Sequence, residues 1–142
     1  MKYKTDELFK KYPKLLTKKN LMFGIECEDG WYWLIDNLCA CIQNYTDLNK
    51  KPQVTASQIK EKFGGLRFYT NGHDDLVNGM IWFAESLSFS ICEHCGSFEG
   101  KPNKVGWIKT LCPDCKKIED DKLTERQKEY RKKMEANLHN DI

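Results

Sequence analysis

The sequence contains no apolar run close to the roughly 20 residues that a membrane-spanning helix requires. Residues 1–20 are polar and rich in lysine, unlike the apolar centre of a secretion signal. Arginine is scarce, because only Arg67, Arg126 and Arg131 are arginines among 23 basic residues, and reading DNA bases relies on arginine. We therefore expect a cytoplasmic protein that does not span a membrane and is poorly equipped to read a DNA sequence.

The sequence also lacks a phosphate-binding loop, a dinucleotide fingerprint and a nucleophile elbow. None of its three histidines lies in a motif with a nucleophile or with acids at metal-ligand spacing. One acidic cluster could bind a cation or a basic partner, although carboxylates at a helix start also complement the helix dipole. We expect no catalytic residues and no enzymatic activity. The acidic cluster comprises Glu26, Glu28, Asp29 and Asp36.

Four of the seven cysteines form two pairs near residue 100. Two residues separate the cysteines within each pair, as in structural zinc sites with four thiolates and no open position for catalysis. Disulfides, buried free thiols and an iron–sulfur cluster are alternative interpretations. The odd number of cysteines, four of them at metal spacing, suits a reducing compartment. The sequence predicts a structural Zn²⁺ ion bound by Cys92, Cys95, Cys112 and Cys115.

Apolar residues make up 40% of the chain, which is enough for a buried core. Residues 1–20 carry seven lysines and two acids, a net charge of +5, although the whole chain has a net charge of only +2. We predict an α+β fold with a fused zinc ribbon. Its four parts are a basic N-terminal arm (1–20), an α+β core (21–91), the zinc ribbon (92–117) and a charged C-terminal helix (118–142).

The core segment predicts two helices and a β-hairpin. Apolar residues three and four positions apart predict a helix that starts near Trp31 and ends between Asp47 and Pro52. Strand-forming residues on both sides of Gly64 predict a hairpin over residues 53–70. Asp74 or Asp75 can cap the second helix. Its predicted buried face comprises Leu76, Met80, Phe83, Ala84 and Leu87, with Trp82 beside it.

From Lys116 onward the sequence predicts one charged helix with an interrupted apolar seam. This helix could lie on the domain through the seam, or pair with another helix in a homo-oligomer or a partner. It could also contact nucleic acid, although interleaved glutamates would weaken that electrostatic field. The basic residues for such contact are Lys128, Arg131, Lys132 and Lys133.

Three stretches of the chain together resemble a family of small, largely uncharacterised bacteriophage and prophage proteins. The family shares a GWYxL helix start, a KEKFGxLRFY hairpin and a C-terminal cysteine knuckle pair preceded by GWxxTLC. The matching segments are residues 30–35, residues 59–69, and the cysteine region in residues 92–96 and 106–112. The resemblance covers about residues 30–115, so residues 1–20 and the C-terminal helix lie outside it.

The resemblance implies a phage or prophage product that acts in the bacterial cytoplasm, and it transfers no activity. Small non-catalytic phage proteins often bind and block host proteins, including components of anti-phage defence. The hairpin mixes positive charge with aromatic area, as interface centres do, although its aromatics could also form the core face of the sheet. The alternative function is nucleic-acid binding through the basic arm and the C-terminal helix. Candidate partner-binding residues are Lys60, Lys62, Arg67 and Tyr69.

Overall fold

The computed structural model describes residues 3–104, 106–123 and 125–140 and has an α+β fold. Two sheets are present: a three-stranded sheet in the order β1-β2-β3 and a two-stranded sheet of β4 and β5. The strands are β1 (Ile25–Glu26), β2 (Thr55–Lys62), β3 (Gly65–Asn71), β4 (Lys101–Pro102) and β5 (Thr110–Leu111). The helices are α1 (Leu8–Lys11), α2 (Tyr32–Leu48), α3 (Asp75–Ser88), α4 (Pro113–Asp121) and α5 (Glu125–Asn140).

The segment predicted as a basic N-terminal arm packs into the core through its apolar residues. Leu8, Leu15 and Leu16 are at most 1% exposed and belong to the main apolar cluster. The Leu15 carbonyl accepts a hydrogen bond from the N–H of Ala56 in β2, at 2.9 Å. The positive net charge had obscured these three leucines, whose burial holds the segment on the domain.

The first long helix and the hairpin form where the sequence predicts them. In α2, the buried side chains include Leu34, Ile35, Leu38 and Ile42, which follow the predicted stripe. The hairpin turns at Phe63 and Gly64, whose φ angles of 52° and 83° are both positive. A two-residue hairpin turn with two positive φ angles matches the twist of the strands, and glycine adopts this conformation at little cost.

The core covers only part of the face that the sequence predicts for the second helix. Asp74 caps α3 as expected and accepts the Val77 N–H at 3.0 Å. Leu76 and Phe83, however, are 53% and 67% exposed. Ala84 is buried, and Met80 and Leu87 pack partly buried against the core, so the prediction is wrong only for Leu76 and Phe83. The apolar arc of α3 is wider than the surface that the core covers. The buried residues are Val77, Ile81, Ala84 and Ser88.

Side chains of α3 cover the free edge of β3. Ser88 Oγ accepts the N–H of Leu66 at 2.9 Å, and Glu85 Oε2 accepts the N–H of Phe68 at 2.9 Å. These bonds satisfy backbone donors that an edge strand would otherwise offer to another chain. The opposite flank of the hairpin pairs with β1, where Ile25 is in parallel register with Ile59.

The C-terminal region contains two helices, so the prediction of one continuous helix from Lys116 is wrong. The first, α4, begins at Pro113, where proline is favoured because the first helical N–H needs no partner. It ends at Asp121, and α5 begins at Glu125. Within the described ranges, no helix has the length and apolar character needed to cross a bilayer.

Candidate metal centre

The four predicted cysteines lie together, and all of their Sγ atoms are within 4.8 Å of one another. Cys92 and Cys95 lie in a turn after α3, while Cys112 immediately precedes α4 and Cys115 lies in its first turn. The Sγ atoms of Cys95 and Cys112 are 3.7 Å apart. Zinc–sulfur bonds of about 2.3 Å in a tetrahedron separate the sulfurs by about 3.8 Å. The cluster therefore has the size required to hold one metal ion.

The same distances argue against two of the alternatives. A disulfide needs sulfurs about 2.05 Å apart, and the Cys95–Cys112 separation is far longer. A multi-iron cluster carries its thiolates on separate iron atoms, which places the ligand sulfurs farther apart than a single ion does. The geometry of the described sulfurs thus favours one ion with four thiolate ligands.

The first knuckle depends on a glycine and on tight backbone bonds. Gly96 has a φ angle of +83°, a conformation that side chains other than glycine rarely adopt. Its N–H donates to the Cys92 carbonyl at 2.9 Å, and the Cys92 N–H donates to the Ser97 carbonyl at 2.8 Å. The backbone itself therefore directs Cys92 and Cys95 toward the same point.

Backbone dipoles favour thiolate formation at one of the ligands. Burial raises the pKa of Cys92, but the N–H groups of Cys95, Cys112 and His94 lower it overall, to about 7. Burial and the neighbouring thiols raise the pKa of Cys115. A bound cation displaces the thiol protons and supplies the charge that the remaining thiolates require. The N–H groups around the first knuckle thus favour a thiolate at Cys92.

The start of α2 lies directly against the first knuckle. A Cβ atom on Gly30 would be 2.2 Å from the Cys92 carbonyl oxygen and 2.3 Å from that of Glu93, so only glycine fits. The Gly30 N–H donates to the Glu93 carbonyl at 2.7 Å, and Trp31 Nε1 donates to the Ile91 carbonyl at 2.9 Å. Trp31 is fully buried. The metal centre is therefore fused to the core, as the sequence predicts.

The tip of the hairpin forms the second junction with the cysteine region. Thr110 Oγ1 in β5 donates to the Gly64 carbonyl at 2.6 Å, and Thr110 is fully buried. A Cβ atom on Gly65 would lie 2.4 Å from the ring of Phe89. The helix start, the hairpin and the cysteine knuckles thus meet around the four-cysteine cluster.

Glu93 is a buried acid beside the cysteines that the sequence analysis did not single out. It is 4% exposed, and its Oε2 accepts the N–H of Glu28 at 3.1 Å. Burial is the main cause that raises its pKa, to about 7; the hydrogen bond from the Glu28 N–H opposes this rise, and the negative charges of Glu28 and Glu61 add to it. Its carboxylate links the residues before α2 to the first knuckle.

The predicted acidic cluster does not form a cation site in the described part of the chain. Asp29 accepts the Thr5 N–H at 3.2 Å, and Glu28 lies 3.3 Å from the His94 ring. Asp36 accepts hydrogen bonds from Lys11 at 2.9 Å and from Tyr12. Among the described residues, the four cysteines are the only group of metal-ligand side chains close enough to hold an ion.

The four candidate partner-binding residues share the outer face of the hairpin. Lys60 pairs with Arg67 across the strands, whereas Ile59 pairs with Phe68 on the core face. Phe68 is 2% exposed and Tyr69 is 43% exposed, so the two neighbours point in opposite directions, as strand alternation predicts. Lys62 continues the outer face toward the turn.

The helix α3 exposes more apolar surface than the outer face of the hairpin, and part of it lies next to Tyr69. The sequence patterns did not predict this surface. Trp82 is 75% exposed and lines a cavity of about 610 Å³ together with Tyr69. Leu76 and Phe83 project from the same helix and are also exposed. The solvent side of α3 therefore presents three large apolar side chains, which form the α3 surface: Leu76, Trp82 and Phe83. The sequence did contain a signal for this surface, because the apolar residues of α3 span a wider arc than one contact with the core can cover.

The cysteines outside the cluster differ in exposure. Cys39 is buried in α2, and burial raises its pKa. Cys41 lies on the same helix and is exposed.

No protein-family model, no curated protein and no solved structure matches this chain.

Proposed function

We propose that this chain is a zinc-stabilised binding protein, encoded by a phage, that acts in the bacterial cytoplasm by direct contact with a host or anti-phage defence protein. Zinc is the proposed ion because four thiolates at tetrahedral spacing are the donor set of structural zinc sites. Such a site stabilises its surroundings and leaves no open position for substrate. The phage context comes from the family resemblance alone.

The observation that carries the proposal is the α3 surface. Monomeric proteins rarely expose large contiguous apolar patches, and Trp and Tyr are enriched among the residues that contribute most to binding energy. Trp82 of the α3 surface and Tyr69 of the outer face of the hairpin line one cavity. The charged residues of α3 are Asp75, at its first position, and Glu85, whose carboxylate accepts the Phe68 N–H and lines the same cavity. This composition suits the centre of a protein interface.

The outer face of the hairpin supplies charge at the edge of this surface. Lys60, Lys62 and Arg67 lie there, and Tyr69 is on the same face. A partner that covers α3 with apolar side chains would place acidic residues opposite these three cations. Rim charges of this kind accelerate association and select the partner more than they add affinity.

The test is affinity capture from nuclease-treated bacterial lysate, followed by mass spectrometry and a binding titration with the recovered protein. We expect Trp82→Ala to weaken binding at least about 30-fold, the effect of losing a strong interface residue. Trp107→Ala is the matched control, because Trp107 is 76% exposed and lies in the cysteine region. Equal binding by wild type and Trp82→Ala, or loss of binding with Trp107→Ala alone, would refute this assignment.

The alternative function is nucleic-acid binding through the N-terminal arm and the C-terminal helix. The contacts of these two regions support it to different degrees. In the arm, Lys11 forms an ion pair with Asp36 at 2.9 Å, and Lys4 Nζ lies 4.5 Å from the centre of the Tyr32 ring. These contacts occupy part of the positive charge of the arm. The C-terminal helices have separate features that favour a nucleic-acid site.

A further inference from the structure

A cleft separates the two-stranded sheet from the C-terminal helices. It consists of two adjoining cavities of about 320 and 410 Å³, and both are lined by Trp107, Leu123 and Arg131. The first cavity extends to Lys101 and Lys116. The second extends along α5 to its basic and aromatic side chains, Arg126 and Tyr130. We call these cavities together the ribbon–helix cleft.

Specific side-chain bonds hold the walls of the cleft. Asn103 donates to the Trp107 carbonyl at 2.9 Å and accepts the Lys109 N–H at 2.6 Å, which closes the loop that carries Trp107. Lys109 forms an ion pair with Glu119 of α4 at 3.2 Å. Together these bonds tie the aromatic loop to α4.

The acids that line the cleft are already paired with bases. Glu119 pairs with Lys109, and Asp120 pairs with Arg131, which also joins α5 to α4. The remaining charged side chains at the lining are all cations. Within the described ranges none of them forms an ion pair, so the cleft presents unneutralised positive charge: Lys101, Lys116 and Arg126.

Two solvent-exposed aromatic rings line the cleft next to these cations. Trp107 is 76% exposed and Tyr130 is 63% exposed. Exposed aromatics among cations are the features with which proteins bind unpaired bases, which stack on the rings while the phosphates contact the cations. An acidic peptide would satisfy the charges but would leave both rings without a planar partner.

We propose that the ribbon–helix cleft binds single-stranded nucleic acid, with bases stacked on Trp107 and Tyr130 and phosphates bound by Lys101 and Lys116. Two cavities side by side suit successive nucleotides of a strand better than one free nucleotide. The site is separate from the α3 surface, and the inference does not rest on the proposed binding of a protein partner.

Fluorescence anisotropy tests the proposal with a labelled oligothymidylate of about 12 nucleotides, within the usual range of single-strand site sizes. We expect binding at low salt, and Trp107→Ala to weaken it about tenfold or more, the effect of losing one base–aromatic stack. Tyr130→Ala is expected to act in the same direction. Both side chains are mostly exposed, so the folded domain and its metal content remain unchanged.

The salt dependence tests the phosphate contacts separately. Each phosphate contact to a single strand contributes about 0.7 to the slope of log affinity against log salt. The double variant Lys101→Ala with Lys116→Ala is therefore expected to reduce that slope by about 1.4. An unchanged slope would overturn the assignment of these two lysines.

Trp82→Ala is the matched control, because Trp82 is exposed to the same degree but lies on α3. It should lose the protein partner and keep the oligonucleotide, whereas Trp107→Ala should do the reverse. No binding at low salt, or equal affinity of wild type and Trp107→Ala, would overturn the proposal. It would also be overturned if polyglutamate or thymidine monophosphate competed as well as the unlabelled strand.

Discussion

The core and the cysteine region of this protein are stabilised in different ways. The described chain up to Ile91 buries one continuous apolar cluster, which includes Leu8, Trp31 and Ile59. The two knuckles with β4, β5 and α4 are here called the four-cysteine module. The apolar cluster of this module, among the described residues, consists of Leu111 with Cys92 and Cys112. Burial of apolar area contributes about 25 cal/mol per Å² to the free energy of folding. A cluster of three residues therefore stabilises the module only slightly.

The comparison shows what the module needs from elsewhere. Contacts with the core stabilise the module. They are the backbone contact at Gly30, the hydrogen bond from the buried Trp31 and the Thr110–Gly64 hydrogen bond. We expect the rest of its stability to come from metal–thiolate bonds, because metal binding and folding are coupled in modules of this kind. Removal of the metal should therefore unfold the four-cysteine module and leave the core folded. Substitutions at the junction should lower the stability of both regions.

The largest expected effect is on the four-cysteine module and the end of α3 that precedes it. Cys112→Ser removes one ligand, and zinc binding contributes about 10 to 16 kcal/mol in small zinc modules. We expect loss of the metal and fast hydrogen exchange in both knuckles and the end of α3, with the remaining core still cooperatively folded. Metal analysis and hydrogen-exchange mass spectrometry measure both effects.

Cys41→Ser is the control for this experiment, because Cys41 is an exposed thiol on α2. It should leave metal content and exchange unchanged. A Cys112→Ser protein with full metal content and slow exchange would show that the module does not depend on the ion. Treatment of wild type with a chelator should reproduce the exchange pattern of Cys112→Ser.

A smaller effect is expected at the junction. Gly30→Ala places a Cβ against the backbone oxygens of Cys92 and Glu93, so the first knuckle must move away from α2. Forced repacking of this kind costs about 1 to 3 kcal/mol. We expect a lower free energy of unfolding in urea and a weaker metal affinity, because one contact serves both regions.

Gly79→Ala is the matched control, since a Cβ at Gly79 meets nothing within 4 Å and the residue lies within α3. Helix propensity predicts that this change raises stability by about 0.5 to 1 kcal/mol. If Gly30→Ala behaved like Gly79→Ala, the close contact between α2 and the first knuckle would be disproved.

The smallest effect concerns the core alone. Burial raises the pKa of Asp36, but hydrogen bonds from Tyr12 and Lys11 lower it overall, below its ordinary value of 3.8. The ionised carboxylate therefore stabilises the folded state above that pH, and this stabilisation is lost as the pH falls through the lowered pKa. Tyr12→Phe should cost about 1 kcal/mol at pH 7.

Urea unfolding at neutral and acidic pH measures this effect. The difference in unfolding free energy between wild type and Asp36→Asn should be positive near pH 7 and shrink as the pH falls below about 3.8. Metal loss in acid affects both proteins alike and cancels in the difference. A difference that does not change with pH would refute the linkage. Asp47→Asn, an exposed carboxylate on the same helix, serves as control.

Several features could be predicted because they depend on residues close together in the sequence. The spacing of Cys92 and Cys95 sets one half of the ligand cluster, and the Asp74 cap and the Gly64 turn each act within a few residues. The stripe of α2 was also readable, because its apolar residues occupy a single narrow arc. In each case the local pattern allowed one structure.

Other features depended on contacts between distant parts of the chain. The Trp31–Ile91 bond joins residues 60 positions apart, and no local pattern marks it. The burial of Leu8, Leu15 and Leu16 was hidden by the charge of the surrounding lysines. Which stripe of α3 faces the core depends on how β3 and α2 approach it, so local apolarity could not choose.

The sequence by itself determined the four-cysteine ligand set, the hairpin with its turn and the α+β class, because spacing and backbone preference act locally. Only the tertiary structure decided that Trp82 and Phe83 face solvent and that Gly30 supports the first knuckle. Both depend on which surfaces remain uncovered once helices and strands pack. Packing is a property of the whole chain and is not encoded in any one segment.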